Sequence, residues 1–187
     1  MKKIVLTALA ATTALIATPA AAQQSVTGTV TLTGSVAPKC FVLPGAGTTF
    51  SDSVNFGELA AADGTLRTGL DTDFDAAVED VQVLCTSANP EVTVTATPLA
   101  NVAAAPSGYD NSIDYTAHAQ FTLVGGGTTT VSDSSTAPAG TGPTPLGGRL
   151  TGTGLNVHIT ANTFAATGIL VSGSYAGSIT VLIAPGL

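Results

Sequence analysis

Apolar and polar residues alternate with a period of two along much of this chain. Between residues 26 and 36, Val26, Gly28, Val30, Leu32 and Val36 fall on one face of an extended backbone, and Thr27, Thr29, Thr31, Thr33 and Ser35 on the other. This is the pattern of a β-strand with one buried and one wet face. Further strands are predicted at 40–43, 53–56, 78–85, 91–97, 115–124, 155–160, 168–172 and 178–184. Turn chemistry separates them at Pro44 and Gly45, Gly57, Asn89 and Pro90, and Gly125 to Gly127. Residues 132–148, rich in Ser, Thr, Pro and Gly, read as a long exposed loop. Residues 58–62 have room for one helical turn, and no longer amphipathic helix is expected. About eight short strands with no second domain predict an all-β fold packed as a Greek-key sandwich.

Two of these strands matter most by position. The segment at 26–36 stands ahead of the first cysteine, and a free-standing strand there must find a sheet to join, which a second molecule can supply. The last strand carries Ile179, Val181 and Ile183 on one face and Thr180, Leu182 and Ala184 on the other. Apolar on both sides, it is expected to be central in its sheet or covered on both faces.

The first 22 residues read as an export signal. Lys2 and Lys3 precede an apolar stretch of 13 residues, 4–16, and Ala20, Ala21 and Ala22 supply a cleavage site. Thirteen residues rise only about 20 Å as a helix, short of the roughly 30 Å hydrocarbon core. The mature protein is therefore expected to be exported, with no membrane insertion. Its three cations, Lys39, Arg67 and Arg149, stand against twelve carboxylates, a net charge of −9. Nucleic acid and anionic lipid are not expected partners, since both require clustered cations. Cys40 and Cys85 are expected to pair in an oxidising compartment, closing a loop of 45 residues.

Candidate chemistry is sparse. His118 and His158 each lie on the polar face of a predicted strand, and no His or Cys spacing suits a transition metal. Asp71, Asp73 and Asp75 open like a calcium loop, but Ala76 replaces its glycine and Gln82 its closing glutamate, so the stretch reads as a solvated acidic loop. With no Trp and three Tyr, an aromatic-lined sugar cleft is not expected. No enzyme, no catalytic or metal-binding residue and no cofactor is predicted.

Four features in order along the chain carry a family resemblance. The signal is followed at once by an alternating strand leading to Cys40; Asn55, Phe56 and Gly57 come next; Val81, Gln82, Val83, Leu84 and Cys85 precede Val92, Thr93 and Val94; and Gly173, Ser174, Tyr175, Ala176 and Gly177 lead into Ser178, Ile179, Thr180 and Val181. In these the chain resembles the spore coat U-like family, which includes archaic chaperone–usher pilus (fimbrial) subunits. The resemblance implies an incomplete immunoglobulin-like β-sandwich at 33–187, completed by a donor strand from another subunit, with residues 23–32 as the N-terminal donor extension. Val26, Gly28, Val30 and Leu32 would be the donor residues. Tyr175, Ile179, Val181 and Ile183 would belong to the acceptor groove, flanked by the first and last strands. It implies as partners a periplasmic chaperone, an outer-membrane usher and homologous subunits polymerised head to tail, with passage through the periplasm to the cell surface. A secreted coat or biofilm-matrix protein of the same fold that completes its own sandwich is the alternative.

Overall fold

The computed structural model describes residues 26–43, 47, 49–136 and 140–186. The expected export signal, 1–22, and residues 23–25 of the expected donor extension lie outside the described residues. The chain divides into two units, one ending at Ser35 and one running from Val36 to Leu187.

In the first unit, residues 26–35 form no strand and are exposed throughout. The alternation at 26–36 therefore does not become a strand here. A single extended segment without a sheet beside it has only water for its backbone groups.

Among its described residues the second unit has ten strands and one short helix. In chain order these are β1 (Cys40–Leu43), α1 (Leu70–Ala77), β2 (Gln82–Cys85), β3 (Glu91–Ala100), β4 (Tyr109–Asp110), β5 (Ser112–Thr122), β6 (Thr128–Ser134), β7 (Thr144–Pro145), β8 (Val157–Ala165), β9 (Ile169–Leu170) and β10 (Ala176–Ala184). The fold is all-β and predominantly antiparallel, as the alternation predicts. β5 is the hub: β6 and β8 flank most of its length, and its first residues meet β3 at Leu99 and Ala100. β3 in turn carries β10 along nearly its whole length and the short β7 at its start. β1 pairs with β2, which reaches β8 through a bridge between Val81 and Val157.

The core follows from these periods. On β5 every second residue, Ile113, Tyr115, Ala117, Ala119 and Phe121, is buried, while His118 and Gln120 point outward. Val92, Val94 and Ala96 of β3 and Val157, Ile159 and Ala161 of β8 pack into the same core.

Four local expectations are corrected. The predicted loop 132–148 instead begins within β6 and contains β7. β6 hides from a hydrophobic pattern because beside Val131 its inward face carries Asp133. The buried Asp133 carboxylate accepts the backbone N–H of Ala96 at 2.8 Å, so polar satisfaction rather than apolar burial fixes this strand. Residues 53–56 form no strand. The acidic stretch is helical rather than a solvated loop. Leu70 and Phe74, four residues apart, bury one face of α1, while Asp71 and Asp73 occupy its first turn, where the helix dipole favours anions. Asp73 also pairs with Arg67, whose guanidinium donates to the carbonyls of Phe56, Glu58 and Thr68 as well. Residues 58–62 make no helix; Leu59 and Ala61 are instead hydrogen-bonded back to Arg67 and Thr65.

Candidate interaction groove

β10 lies at a sheet edge. Among the described residues it pairs with β3 and with no other strand, so it is neither central nor covered on both faces, contrary to the expectation from its composition. In an antiparallel pair, alternate residues direct their N–H and C=O groups away from the partner. Half of the peptide groups of β10 therefore face outward without a ladder. Ile179, Val181 and Ile183 lie half-buried against the core, and Leu182 on the opposite face is 60% exposed.

Beside the first residues of this edge the core is open. A cavity of about 720 Å³ is bounded by Gly177, Ser178 and Ile179 of β10 and, among others, by Phe50, Phe56 and Phe164. The irregular segment 50–56 contributes to its lining, and no residue of β1 does. β1 is engaged elsewhere, through β2 and a bond from the Val42 N–H to the Gly47 carbonyl. A cavity open to water, with aromatic and polar side chains in its lining, beside a strand edge unpaired among the described residues, is where a further strand gains both ladder bonds and burial.

The aromatic floor has identifiable causes. β8 carries an irregularity in which Asn162 faces Thr116 and Ala165 faces Asp114, so Thr163 and Phe164 together oppose Tyr115. Thr163 takes a φ of 55°, unusual for a β-branched residue. The extra residue aims Phe164 inward, where its ring stacks on Tyr115 at 5.3 Å and meets Phe56 edge-on at 5.6 Å. The Tyr115 hydroxyl donates toward two carbonyls, Thr97 O at 2.8 Å and Ser178 O at 2.9 Å, and so fastens the start of β10 to β3. Burial, and secondarily the nearby Asp133 carboxylate, push the Tyr115 pKa up to about 12 against the bond to Thr97.

The sequence-predicted residues divide between these places. Ile179 lines the cavity, and Val181 and Ile183 continue its side of β10 along the core. Tyr175 does not line it. Its hydroxyl donates toward the carbonyls of Asp110 and Val171, among the loops where β10 begins. Val26, Val30 and Leu32 are 94%, 84% and 89% exposed, and a Cβ built on Gly28 would meet nothing. Cys40 and Cys85 form the expected disulfide between directly opposed residues of β1 and β2. Phe50, Val54, Tyr115 and Phe164 were not predicted to line a groove. Phe50, Val54 and Phe56 share one face of an extended chain, a signal that was present; the shift that turns Phe164 inward has no counterpart in the alternation.

Other polar clusters are accounted for by pairing between strands. His118 Nδ1 lies 2.6 Å from Ser132 Oγ and its Nε2 3.0 Å from Asn162 Oδ1, while His158 pairs with Asp80 across the β2–β8 junction. Among the described residues, no group of three or more His, Cys, Asp or Glu side chains is arranged to hold a metal ion, and no helix is long and apolar enough to cross a membrane. No protein-family model matches the chain, and no curated protein or solved structure does either.

Proposed function

We propose that this chain is a structural subunit of a bacterial surface pilus of the spore coat U-like, archaic chaperone–usher type. One observation carries the reading: the apolar strand β10 ends a sheet with its outer edge unpaired among the described residues, beside an open cavity in the core. On this reading the domain is an immunoglobulin-like sandwich lacking one strand. A periplasmic chaperone occupies the groove first, and at an outer-membrane usher the donor extension of the next subunit replaces it. The exchange is β-augmentation, in which main-chain bonds give affinity and alternate side chains fill pockets.

The exposed alternating face of residues 26–32 supports the donor role. Burying Val26, Val30 and Leu32 contributes about 5–9 kcal/mol, at roughly 1.5–3 kcal/mol for each side chain. Because the donor and acceptor surfaces differ, the contact is head-to-tail and its repetition gives a filament rather than a closed ring.

The test is the assembly state of the protein recovered from the surface of its own cells. A donor-strand polymer runs as a ladder on denaturing gels when unheated and collapses to one band on boiling. Deleting residues 23–32, downstream of the expected cleavage site, removes the ladder and leaves chaperone-bound subunit. A full-length protein that stays soluble and monomeric without a chaperone, and yields no ladder, refutes the proposal in favour of a self-complete coat or matrix protein.

A further inference from the structure

The open edge of β10 carries its free peptide groups on the residues that also face the core. On β3, the Val94 N–H donates to the Thr141 hydroxyl and its carbonyl accepts the Thr141 N–H, while the Ala96 N–H donates to Asp133. Val94 and Ala96 thus bond away from β10, and Thr93, Thr95 and Thr97 are the β3 residues that bond toward it. Their opposites are Leu182, Thr180 and Ser178. The Ser178 N–H donates to Thr97 Oγ1 and its carbonyl accepts from the Tyr115 hydroxyl, in keeping with this alternation. Ile179, Val181 and Ile183, opposite Ala96, Val94 and Val92, therefore turn their N–H and C=O groups to the edge that is unpaired among the described residues. Space along this edge is uneven. The cavity of about 720 Å³ is lined by Gly177, Ser178 and Ile179 but not by Val181 or Ile183. Gly177 brings no side chain to it, since a Cβ there would stand 2.7 Å from the Pro98 carbonyl oxygen.

From these features we propose that residues 26–32 of a second copy enter antiparallel to β10 in one register, with Leu32 opposite Gly177, Val30 opposite Ile179, Gly28 opposite Val181 and Val26 opposite Ile183. The proposal rests on the donor-strand reading and gives each donor residue its place. Directly opposed residues share a face, so the even-numbered apolar residues of the donor reach the core only opposite odd-numbered residues of β10. A slip by one residue turns them all to the face of Thr180 and Leu182. Residues 26–32 and 177–183 then match over their full length in two ways, one for each direction. Parallel, Val26 and Gly28 stand at Gly177 and Ile179 and leave the cavity nearly empty. Antiparallel, Leu32 and Val30 stand there, and Gly28 falls at Val181, where the cavity does not extend. Antiparallel pairing is also the more stable per residue. Charge favours the same occupant. The cavity lining holds two carboxylates, Asp52 and Glu79, and no cation, and residues 26–36 are free of charged side chains in an otherwise acidic chain. On the outer face Thr31 opposes Ser178 and Thr29 opposes Thr180, pairs whose hydroxyls suit cross-strand hydrogen bonds.

The experiment places one acceptor cysteine, Leu182→Cys, on the outer face, where Leu182 is 60% exposed, and combines it in full-length protein with Thr27→Cys, Thr29→Cys or Thr31→Cys. The residue opposite Leu182 forms a non-hydrogen-bonded pair with Cα atoms about 4.5 Å apart, which a disulfide spans, whereas diagonal neighbours at roughly 7–8 Å lie beyond it. Both native cysteines are already paired. Filaments assembled in the protein's own cells are mildly oxidised and boiled without reductant. Thr27→Cys is expected to give rungs that survive boiling, and the other two none. Thr31→Cys rungs mean the parallel direction and Thr29→Cys rungs a slip of two residues. Either result, or no boiling-resistant rungs from any of the three while unheated rungs form, overturns the register and leaves the donor reading standing. Absence of any unheated ladder in the unaltered protein removes the donor reading, and the register with it. Gly28→Leu is an independent check, because a Cβ on Gly28 meets nothing within its own subunit. It is expected to lower the temperature at which the rungs collapse, or to abolish them, since Val181 has no cavity beside it; an unchanged or raised temperature overturns the register.

Discussion

Replacing Tyr115 by Phe removes one oxygen and tests how β10 is attached. The Tyr115 hydroxyl reaches the carbonyls of Thr97 and Ser178 at 2.8 and 2.9 Å, at the shift in register between β3 and β10. The ring itself is 4% exposed and stacked on Phe164, so phenylalanine fits the same volume. What is lost is a buried bond together with the satisfaction of its acceptors, about 1–3 kcal/mol. For a domain of this size that corresponds to a fall in melting temperature of about 2–4 °C per kcal/mol. The pH dependence separates this account from a generic packing loss. Native Tyr115 has a pKa of about 12 against an ordinary 10.0, so above pH 10 the unfolded chain releases a proton that the folded chain retains. Stability from this group is complete below pH 10 and is lost as pH rises toward 12, by about 3 kcal/mol over two units. Thermal unfolding of wild type and Tyr115→Phe in the same assembly state, from pH 7 to about 12, is the assay. The difference between them should be largest at neutral pH and shrink above pH 10. A difference that is zero at pH 7, or constant across that range, refutes the reasoning.

Breaking the disulfide by the double change Cys40→Ser and Cys85→Ser frees a loop of 45 residues and is expected to cost about 4 kcal/mol, read as a lowered denaturation midpoint that added reductant does not lower further. Asn156→Ala should cost about 2–4 kcal/mol by chemical denaturation, because this buried amide accepts from the Val83 N–H and donates to the Val83 and Thr151 carbonyls, groups left unpaired without it. Gly177→Ala should lower the melting temperature by several degrees, since a Cβ there would stand 2.8 Å from the Thr97 carbonyl and 2.7 Å from that of Pro98. Val30→Asp should leave the melting temperature of an unpolymerised subunit within about 1 °C, as expected of an exposed position, while sharply reducing the unheated ladder, because a carboxylate cannot enter an apolar pocket.

The alternation of residues was enough to establish an all-β fold and the buried faces of β3, β5 and β8. Period-two burial is local: it needs only that a strand have one dry face, wherever its neighbours come from. Cysteine pairing was equally legible, since a chain with two cysteines leaves each of them one intramolecular partner. Three things required the folded molecule. β6 is hydrogen-bonded inward through Asp133, which no hydrophobic pattern reports. The acidic stretch becomes helical because Leu70 and Phe74 find a core to cover. Above all, whether an apolar strand such as β10 sits at the centre or the edge of its sheet depends on which other segments reach it, a property of long-range pairing that its own residues do not carry. The same holds for the cavity, whose walls at Phe50, Tyr115, Phe164 and Ile179 are far apart in sequence and meet only when the sheets close.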